Sequence, residues 1–457
     1  MFSKETYMER RRQLAKTMGS GLLLFLGNDE QGLNYADNTF RYRQDSSFLY
    51  YFGISEAGLA AVIDVDNDTT TIFGDELTID SIVWMGTLPT LHERAERVGV
   101  TDVKPSAALA SVIADARSKG RTIHFLPPYR AEHQVKLLGL MGLLPDAQIG
   151  SIPFIRAIVE QRNHKTAEEI AEIEKACDVT ADMHITAIRT VRPGLHEYDI
   201  VAEMLHVAHK ANCEESFATI ATVNGQTLHN HYHGNIIKPG DLFLIDAGAE
   251  LPSGYCGDMS STVPADKKFT TRQREVYEIQ NNMHRAAVAA LRPGIPYMEV
   301  YDISAIAMVE GMKQLGLMKG DAVEAVKQGA HALFYPHGLG HMMGLDVHDM
   351  ENFGERWVGY AGAEKSTQFG RKSQRLAIPL EPGFVFTVEP GIYFIPDLID
   401  LWSAEKKFAD FINYDVVETY RNFGGIRNEE DYLITPDGAR RLGKKIPLTP
   451  EEVEALR

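Results

Sequence analysis

The feature that most constrains the fold of this chain is an internal repeat in its C-terminal two thirds. Arg192-Pro193-Gly194 follows one helical pattern and Arg292-Pro293-Gly294 follows another, with Glu197 after the first turn and Glu299 after the second. Proline cannot continue a helix and glycine tolerates the conformation that ends one, so each copy predicts a helix, a turn and a second helix. The two stretches are therefore predicted to be duplicated structure.

A second matching pair lies further along the chain, where an apolar strand pattern ends in an acid beside a glycine. Residues 239–248 contain Asp246, and residues 382–391 contain Glu389 at the equivalent place. Pushing a carboxylate toward the interior of a sheet costs several kcal/mol unless a cation compensates. Copies that face each other would bring these two acids together, and like charges in one cleft require a cation or a shared proton.

Three further segments contain residue types that bind metals: Gly257-Asp258, His337-Gly338-Leu339-Gly340-His341, and residues 425–431. The candidates Asp258, His341 and Glu429 join the two repeat-equivalent acids to give four carboxylates and one imidazole. This oxygen-rich set suits hard or borderline divalent ions, with manganese first and cobalt, zinc and iron as alternatives. A carboxylate-bridged pair of such ions activates water for hydrolysis, so a two-metal centre is predicted.

Each candidate ligand also has a simpler structural explanation when it is taken alone. An aspartate at the end of a strand is more often a turn former than a ligand, and residues 429–431 would by themselves be a solvated acidic run. His341 alone would be a packed or surface histidine. The metal site is favoured because two of the acids fall at equivalent places in the repeat.

Residues 1–160 show a different pattern, in which apolar runs alternate with helical periodicity. The apolar runs are residues 21–27, 59–65, 82–86 and 123–126, and a helical pattern covers residues 105–118. This alternation predicts an α/β domain. Near residue 160 the pattern weakens, and Thr166 with Glu169 predicts a capping box that starts a new helix. The predicted domains are therefore residues 1–160 and 161–457.

The formal charge of -17 argues against a nucleic-acid partner, because phosphates favour clustered Lys and Arg. An anionic membrane is disfavoured as a partner for the same reason. The basic run Arg10 to Arg12 is followed by no apolar stretch long enough for a signal or a membrane span, so we expect a cytoplasmic location. Cys177, Cys213 and Cys256 lack CxxC spacing and predict small buried residues rather than disulfides or a thiolate metal site.

Together these segments resemble the proline-specific metallopeptidases of the pita-bread fold, aminopeptidase P and prolidase. The motifs that carry the resemblance occur in family order: Leu244-Ile245-Asp246-Ala247-Gly248, Gly257-Asp258, His337-Gly338-Leu339-Gly340-His341, Thr387-Val388-Glu389-Pro390-Gly391, and Gly425-Ile426-Arg427 with Glu429. Residues 40–53 are similar to the creatinase-like first domain of that family. The resemblance implies an α+β protein in which a creatinase-like N-terminal α/β domain precedes a pita-bread catalytic domain, itself a duplicated αβ structure.

The resemblance also implies a role for each matching residue. Asp246 and Asp258 would bind one of two divalent metal ions and His341 the other, while Glu389 and Glu429 would be shared between them. Glu389 would also carry a proton during hydrolysis. Arg427 would steady the site by pairing with carboxylates. Three histidines match cleft residues that bind the carbonyl oxygen, stabilise the tetrahedral intermediate and protonate the prolyl nitrogen: His229, His337 and His348.

The segment His229-Asn230-His231-Tyr232-His233 leaves an alternative open, because the family usually has a single histidine there. His231 could be the working residue in place of His229. On a strand, three histidines at period two would share one face, and this spacing alone resembles the metal-binding His-x-His of amidohydrolases. That interpretation leaves the repeat-equivalent acids unexplained.

Within the family, the sequence favours an Xaa-Pro dipeptidase over an aminopeptidase that acts on longer peptides. A dipeptidase must recognise the free carboxylate beyond proline, and Arg375 falls where animal prolidases have an arginine for that carboxylate. A long insertion after Tyr393, which reaches residue 423, also looks more like prolidase. Taken alone, Arg375 would be an ordinary surface arginine.

The rival functions are a non-catalytic binding module on the same fold, a creatine-type amidinohydrolase that works without metal, and methionine aminopeptidase. The complete set of candidate ligands disfavours the first two, and the N-terminal domain disfavours the third. The expected partners are Xaa-Pro dipeptides or short peptides as substrates. The resemblance further suggests a homodimer.

Overall fold

The computed structural model describes residues 2–457. As far as Asn163 the elements are α1 (Lys4–Met18), β1 (Leu22–Leu26), β2 (Gly32–Tyr35), β3 (Asn38–Thr39), α2 (Ser46–Phe52), β4 (Ala60–Asp64), β5 (Thr69–Phe73), α3 (Ile79–Met85), α4 (Leu91–Arg97), β6 (Asp102–Lys104), α5 (Ala108–Ser118), β7 (Ile123–His124), α6 (Ala131–Met141) and α7 (Ile152–Asn163). From Ala167 onward they are α8 (Ala167–Thr190), α9 (Glu197–Lys210), β8 (Glu214–Glu215), β9 (Ile220–Thr222), β10 (Leu242–Ala247), β11 (Ala249–Glu250), β12 (Met259–Pro264), α10 (Thr271–Ala290), α11 (Tyr297–Gln314), α12 (Ala322–Gln328), α13 (Glu355–Val358), β13 (Val385–Val388), β14 (Gly391–Tyr393), α14 (Pro396–Ala404), α15 (Tyr414–Glu418), β15 (Gly425–Arg427), β16 (Glu430–Thr435), β17 (Gly438–Arg441) and α16 (Pro450–Leu456). Short 3-10 helices lie at Pro145–Ala147, Ala330–Leu333, Glu351–Phe353 and Arg371–Ser373.

The chain divides into two compact units. The first runs as far as Arg162 and also includes Met350–Trp357, and the second comprises Asn163–Asp349 and Val358–Arg457. The sequence pattern gave no indication that Met350–Trp357 belongs to the first unit. The boundary expected near residue 160 falls within α7.

The first unit is built on a five-stranded mixed sheet in the order β6-β5-β4-β1-β7. Leu22, Leu24 and Val62 on this sheet pack with Ile113 of α5 and Leu137 of α6 in a buried cluster. Three of the four apolar runs are the strands β1, β4 and β7. The fourth lies in α3, whose side chains are exposed or only half-buried, because a run of apolar residues fits a short helix as well as a strand.

The basic run near the N-terminus has a structural role within the first unit. Arg10 and Arg11 are buried on α1. Arg10 donates to the carbonyl of Tyr50 at 2.9 Å, and Arg11 donates to the carbonyls of Tyr51 and Val98 at 2.7 and 2.6 Å. These charges satisfy backbone acceptors that burial would otherwise leave without a partner.

The second unit confirms the predicted repeat. α8 ends before a turn at Gly194 and α10 before a turn at Gly294, and both glycines have a left-handed φ, of 93° and 84°. That conformation strains residues with a Cβ, which explains the glycine at each turn. α9 begins at Glu197 and α11 at Tyr297. The structural equivalent of Glu197 is therefore Tyr297 and not Glu299, which is exposed on α11.

The start of the second unit also follows the sequence prediction. Thr166 accepts from the backbone N–H of Glu169, and the Glu169 side chain accepts in return from the backbone N–H of Thr166. This reciprocal capping box satisfies donors at the start of α8 that the helix itself leaves unpaired. The predicted capping box is confirmed.

Each copy continues into a three-stranded antiparallel sheet, with order β12-β10-β9 in the first and β13-β16-β17 in the second. Glycines beside the acids allow close packing around these sheets. A Cβ on Gly257 would lie 2.7 Å from Oγ1 of Thr180 on α8, and a Cβ on Gly248 would lie 1.9 Å from the carbonyl oxygen of Gly257. The acid-glycine pairs in the sequence therefore reflect a backbone that passes within contact distance of its neighbours.

No helix within residues 2–457 is long and apolar enough to cross a membrane. Cys177, Cys213 and Cys256 are free and buried, as predicted. Cys177 donates its S–H to Oδ2 of Asp431 at 3.1 Å.

Candidate metal centre

Four acids reach one cavity from the ends of the paired strands in the two copies. Asp246 lies on β10 and Asp258 directly precedes β12, while Glu389 directly follows β13 and Glu429 directly precedes β16. All four line a cavity of ≈ 640 Å³. The two acids at equivalent places in the repeat, Asp246 and Glu389, therefore face the same space.

His341 completes this group with an imidazole. Its Nδ1 donates to the carbonyl of Met342 at 3.1 Å, and burial lowers the pKa of the ring well below its ordinary value, so the ring is neutral. Nε2 lies 3.4 Å from Oδ2 of Asp258 and 3.9 Å from Oε1 of Glu389. Asp258, His341 and Glu429 offer ligand atoms within 4.8 Å of one another. A neutral imidazole fixed through Nδ1, with carboxylates around Nε2, is the arrangement that a bound cation stabilises.

The electrostatics of the acids also fit divalent metal ions. Burial raises the pKa of Asp258 and Glu429 well above the ordinary carboxyl values, and neighbouring carboxylates raise both further. Burial raises the pKa of Glu389 to about 7, with Asp246 adding to the shift and a nearby arginine opposing it. Oδ1 of Asp258 is buried and accepts no hydrogen bond from residues 2–457. Because the ionised forms are costly as a group, positive charge in the cavity would stabilise them.

Arg427 links an acid of the first copy to an acid of the second. Its Nη2 donates to Oδ2 of Asp246 at 2.6 Å and its Nε donates to Oγ of Ser260 at 3.0 Å. Ser260 in turn donates to Oε2 of Glu429 at 2.7 Å. One buried guanidinium therefore orients carboxylates from both copies, in part through a serine.

His337 lies in the wall of the cavity between two tyrosines. The ring centroids of Tyr335 and Tyr393 are 5.0 and 5.3 Å from that of His337. Nδ1 donates to the carbonyl of Gly338 at 2.7 Å, and burial lowers the pKa of the ring to about 3. Nε2 of this neutral ring therefore accepts from the hydroxyl of Tyr393 at 2.9 Å. Both ring nitrogens are thus bonded within the protein.

Comparisons with known proteins agree with this geometry. Residues 171–436 match metallopeptidase family M24, and residues 7–124 match the aminopeptidase P N-terminal domain. The first match alone covers more than half of the chain. This chain belongs to metallopeptidase family M24. It is therefore a metal-dependent peptidase, and the predicted family resemblance and fold class are confirmed.

Relatives of this metallopeptidase align along nearly its whole length. The Xaa-Pro dipeptidase of Rattus norvegicus is 30% identical over 478 residues, which cover 99% of this chain and 92% of the relative. The Xaa-Pro aminopeptidase of Escherichia coli is 31% identical over 472 residues, which cover 99% of this chain and 98% of the relative. The structure of zinc-substituted Escherichia coli aminopeptidase P in complex with product matches with a TM-score of 0.81 at 29% identity, covering 100% of this chain and 98% of that one.

The histidines at residues 229–233 of this metallopeptidase lie in a segment without regular structure between β9 and β10. The alternative in which three histidines share one strand face does not apply, because the segment pairs with no neighbouring strand. His229 and His231 line the cavity and are exposed to solvent. His233 points elsewhere, and its Nε2 lies 3.0 Å from the carbonyl oxygen of Thr219.

Charged groups of the cavity act electrostatically on His229. Partial burial lowers the pKa of His229, Arg427 and His231 lower it further, and Asp246 opposes the shift. The negative Asp246 and positive Arg427 therefore both act on this ring.

Arg375 and His348 also line the cavity. The ring centroid of His348 is 4.1 Å from that of His341. Arg375 is partly buried, and its charge lowers the pKa of both Glu389 and His341. Arg375 is thus a cavity residue and not an ordinary surface arginine.

The sequence analysis did not anticipate three residues that support the centre: Ser260, Tyr393 and Asp431. Ser260 could have been predicted from the sequence, because on a strand it shares a face with the residue two positions earlier, Asp258. Oδ2 of Asp431 accepts from the backbone N–H of Asp258 at 3.2 Å. Tyr393 carries no signal in the sequence, because its hydroxyl reaches Arg427 at 2.7 Å only through the pairing of β14 with β15.

Proposed function

We propose that this metallopeptidase hydrolyses the bond between an amino-acid residue and a following proline. The proposal rests on one observation, a cavity in which acids from both copies of the repeat converge on His341. Its substrate class is supported by the full-length relatives, which are Xaa-Pro dipeptidases and Xaa-Pro aminopeptidases. A retained donor set argues against a non-catalytic binding module on the same fold.

The donor set indicates how the residues divide the work. Divalent metal ions bound here would activate water and polarise the scissile carbonyl. In this proposal two ions would be held, one by Asp246 and Asp258 and the other by His341, with Glu389 and Glu429 contributing to both. Manganese is our first choice because oxygen donors outnumber nitrogen donors, with cobalt, zinc and iron as alternatives.

The remaining proposed roles belong to groups around these acids. Arg427 orients Asp246 through a charge-assisted hydrogen bond. His229, with His231 as the alternative, and His348 are proposed to contact the substrate from the cavity wall. For His337 we propose a place in the wall, because both of its nitrogens are already bonded.

Between the two activities, we propose an Xaa-Pro dipeptidase. Arg375 supports this choice because a partly buried cation beside the acids suits the free carboxylate that follows proline in a dipeptide. The alternative is an aminopeptidase that accepts longer peptides. It is supported by the match of residues 7–124 to the aminopeptidase P N-terminal domain and by the Escherichia coli relative.

A metal-removal experiment tests the activity itself. We expect protein stripped with a chelator to leave Ala-Pro intact, and added Mn²⁺ to restore cleavage, because the bound ions would activate the attacking water. Ala-Ala is the control substrate and Ala-Pro-Ala reports the alternative activity. A metal-replete protein that cleaves neither proline peptide would contradict the proposal, and metal analysis after add-back gives the number and identity of bound ions.

Replacement of Arg375 separates the dipeptidase from the aminopeptidase. We expect Arg375→Ala to raise KM for Ala-Pro by roughly 10- to 100-fold, the size of one lost charge-assisted contact, and to change cleavage of Ala-Pro-Ala little. Lys372→Ala, three residues earlier and exposed, is the matched control. Equal losses on the two substrates would remove the argument for a dipeptidase.

We further propose that the protein is a cytoplasmic homodimer. Support for self-association comes from α3, where Ile79, Val83, Trp84 and Met85 are 70–86% exposed. Exposed apolar patches of this kind mark interaction surfaces. Light scattering of the wild type should give twice the chain mass of 50.9 kDa, and Trp84→Glu should shift the population toward monomer. A monomeric wild type would end this part of the proposal.

A further inference from the structure

The side chain of Glu197 is fully buried at the start of α9 and outside the cavity. Oε1 accepts from the hydroxyl of Thr222 at 3.0 Å and from the backbone N–H of Val223 at 2.9 Å. Oε2 accepts from the backbone N–H and the side-chain amide of Asn235, at 3.2 and 3.0 Å. One carboxylate therefore binds two stretches of chain that are separated by a loop.

The loop between those stretches is the segment that carries His229 and His231 into the cavity. It has no strand partner along residues 224–235, and the start of α9 also holds its far end, where the backbone N–H groups of Glu197 and Tyr198 donate to the carbonyls of Asn235 and His233 at 3.1 and 3.0 Å. Inside the loop, Asn230 donates to the hydroxyl of Thr222 at 3.0 Å, the same hydroxyl that bonds to Glu197. The position of the histidines thus depends on how firmly the two ends of the loop are held.

We propose that Glu197 is a positioning residue for the substrate-binding histidines, acting as a clamp across both ends of the 222–235 loop. The inference rests on the proposed function, since it gives His229 or His231 a contact with substrate. A buried carboxylate is costly unless donors surround it, and here all of its donors belong to the loop ends. Through these hydrogen bonds, Glu197 fixes the 222–235 loop of the cavity wall relative to α9.

The second copy of the repeat supports this interpretation independently. Tyr297 occupies the equivalent place, as the first residue of α11. Its hydroxyl donates to the carbonyl of Thr387 at 2.5 Å and lies 3.4 Å from that of Leu339. Leu339 lies two residues before His341, and Thr387 lies two residues before Glu389. Thr387 is also close to His341 in space, because its Oγ1 accepts from the backbone N–H of His341 at 3.2 Å. In each copy, the first residue of the second helix secures the segment that presents a histidine to the cavity.

Glu197→Gln is the sharpest variant because it keeps the size of the side chain. Each carboxylate oxygen accepts from a backbone N–H, of Val223 or of Asn235, and a backbone N–H cannot turn away. Whichever way the glutamine amide is turned, its NH2 group faces one of these donors. Glu203→Gln, exposed on the same helix, is the matched control.

We expect Glu197→Gln to keep its bound metal, to exchange backbone amides of residues 222–235 faster than wild type, and to lose roughly 10- to 100-fold in kcat/KM on Ala-Pro. In the double variant Glu197→Gln/His229→Ala, the loss should not exceed that of His229→Ala alone, because both changes remove the same contact. The same comparison with His231→Ala identifies which histidine the clamp serves. Glu203→Gln should behave as wild type in every measurement.

Multiplicative losses in both double variants, or unchanged exchange in residues 222–235, would overturn the proposal and leave Glu197 as a structural carboxylate. Should Glu197→Gln not fold, Asn235→Ala removes only the side-chain half of one contact and should shift exchange and kcat/KM in the same direction. If wild-type protein fails to cleave Ala-Pro, the proposed function falls, but the exchange measurement still decides whether the clamp holds the loop.

Discussion

The two copies of the repeat contribute equally to the acids of the centre and unequally to everything around them. Each copy supplies one acid near the end of a strand and one directly before its antiparallel partner, Asp246 with Asp258 and Glu389 with Glu429. Only the second copy supplies the histidine proposed as a metal ligand, His341. The duplication therefore accounts for the charge of the centre.

The connections between equivalent elements are where the copies differ. The first copy joins α9 to β10 through the loop that carries His229, which is held by Glu197. The second copy joins α11 to β13 through a much longer stretch that contains His337, His341 and Arg375. The elements that the copies share thus supply the negative charge of the cavity, while the unequal connections supply the groups that are proposed to contact the substrate.

The largest expected effect on activity comes from the acids that the two copies supply equally. Asp258→Asn and Glu429→Gln each remove one proposed metal ligand, one from each copy. Loss of a residue that only hydrogen-bonds to a metal ligand costs up to roughly 100-fold in activity. We expect each of these two variants to lower kcat/KM by more than that, because the ligand itself is lost. Steady-state kinetics and metal analysis measure both losses. Glu203→Gln and Glu299→Gln, exposed on α9 and α11, are the controls. A mild effect in only one copy would mean that the copies are not equivalent at the centre.

An intermediate effect on activity is expected where hydrogen bonds of Ser260 join the two copies. Ser260→Ala removes the hydroxyl between Arg427 and Glu429 and should lower kcat/KM by roughly 10- to 100-fold, since it orients a ligand without binding metal itself. Ser261→Ala is the matched control, because the next residue on the strand faces away and its hydroxyl bonds to His184 at 2.9 Å. If Ser261→Ala lowered kcat/KM as much as Ser260→Ala, the loss would come from destabilisation of β12 and not from the hydrogen bonds of Ser260.

The smallest expected effect is on the pH dependence of stability. It concerns one buried histidine on each of two equivalent helices, His184 on α8 and His284 on α10. Burial lowers the pKa of His284 to about 4, whereas for His184 the lowering by burial is opposed by the Ala247 carbonyl and by Asp246. As pH falls below about 6.5 the unfolded chain binds a proton that native His284 does not, so stability present at neutral pH is lost. The loss from His284 should be about 2 kcal/mol between pH 6.5 and 5.

Urea unfolding of wild type and His284→Gln across that pH range measures this effect. The variant should lose less stability on acidification, and His184→Gln should change the slope less than His284→Gln does. Glu430, with Oε2 at 3.8 Å from Nε2 of His284, is present in both proteins, and burial raises its pKa so that it acts in the opposite sense. Identical slopes in wild type and His284→Gln would contradict the prediction.

Much of the centre could be predicted because repeats, strand ends and glycines leave local marks in a sequence. Asp246 and Glu389 were found from a matched strand-acid-glycine pattern, and they do share a cavity. The turn at Gly194 and the capping box at Thr166 follow from backbone rules that operate within a few residues. The alternative of a strand at residues 229–233 could not be decided from the sequence, because alternating residue types do not show whether a partner strand is present.

The order of the two domains, the duplication and the acids that the duplication repeats can be read from the sequence alone, because each depends on local backbone preferences and on burial of nearby apolar residues. Three contacts or equivalences emerge only from the folded chain: Tyr393 reaches Arg427, Ser260 joins the copies, and Tyr297 takes the place of Glu197. Those contacts join residues far apart in the chain through hydrogen bonds, whose direction and distance depend on how the sheets pack. No local pattern records that geometry.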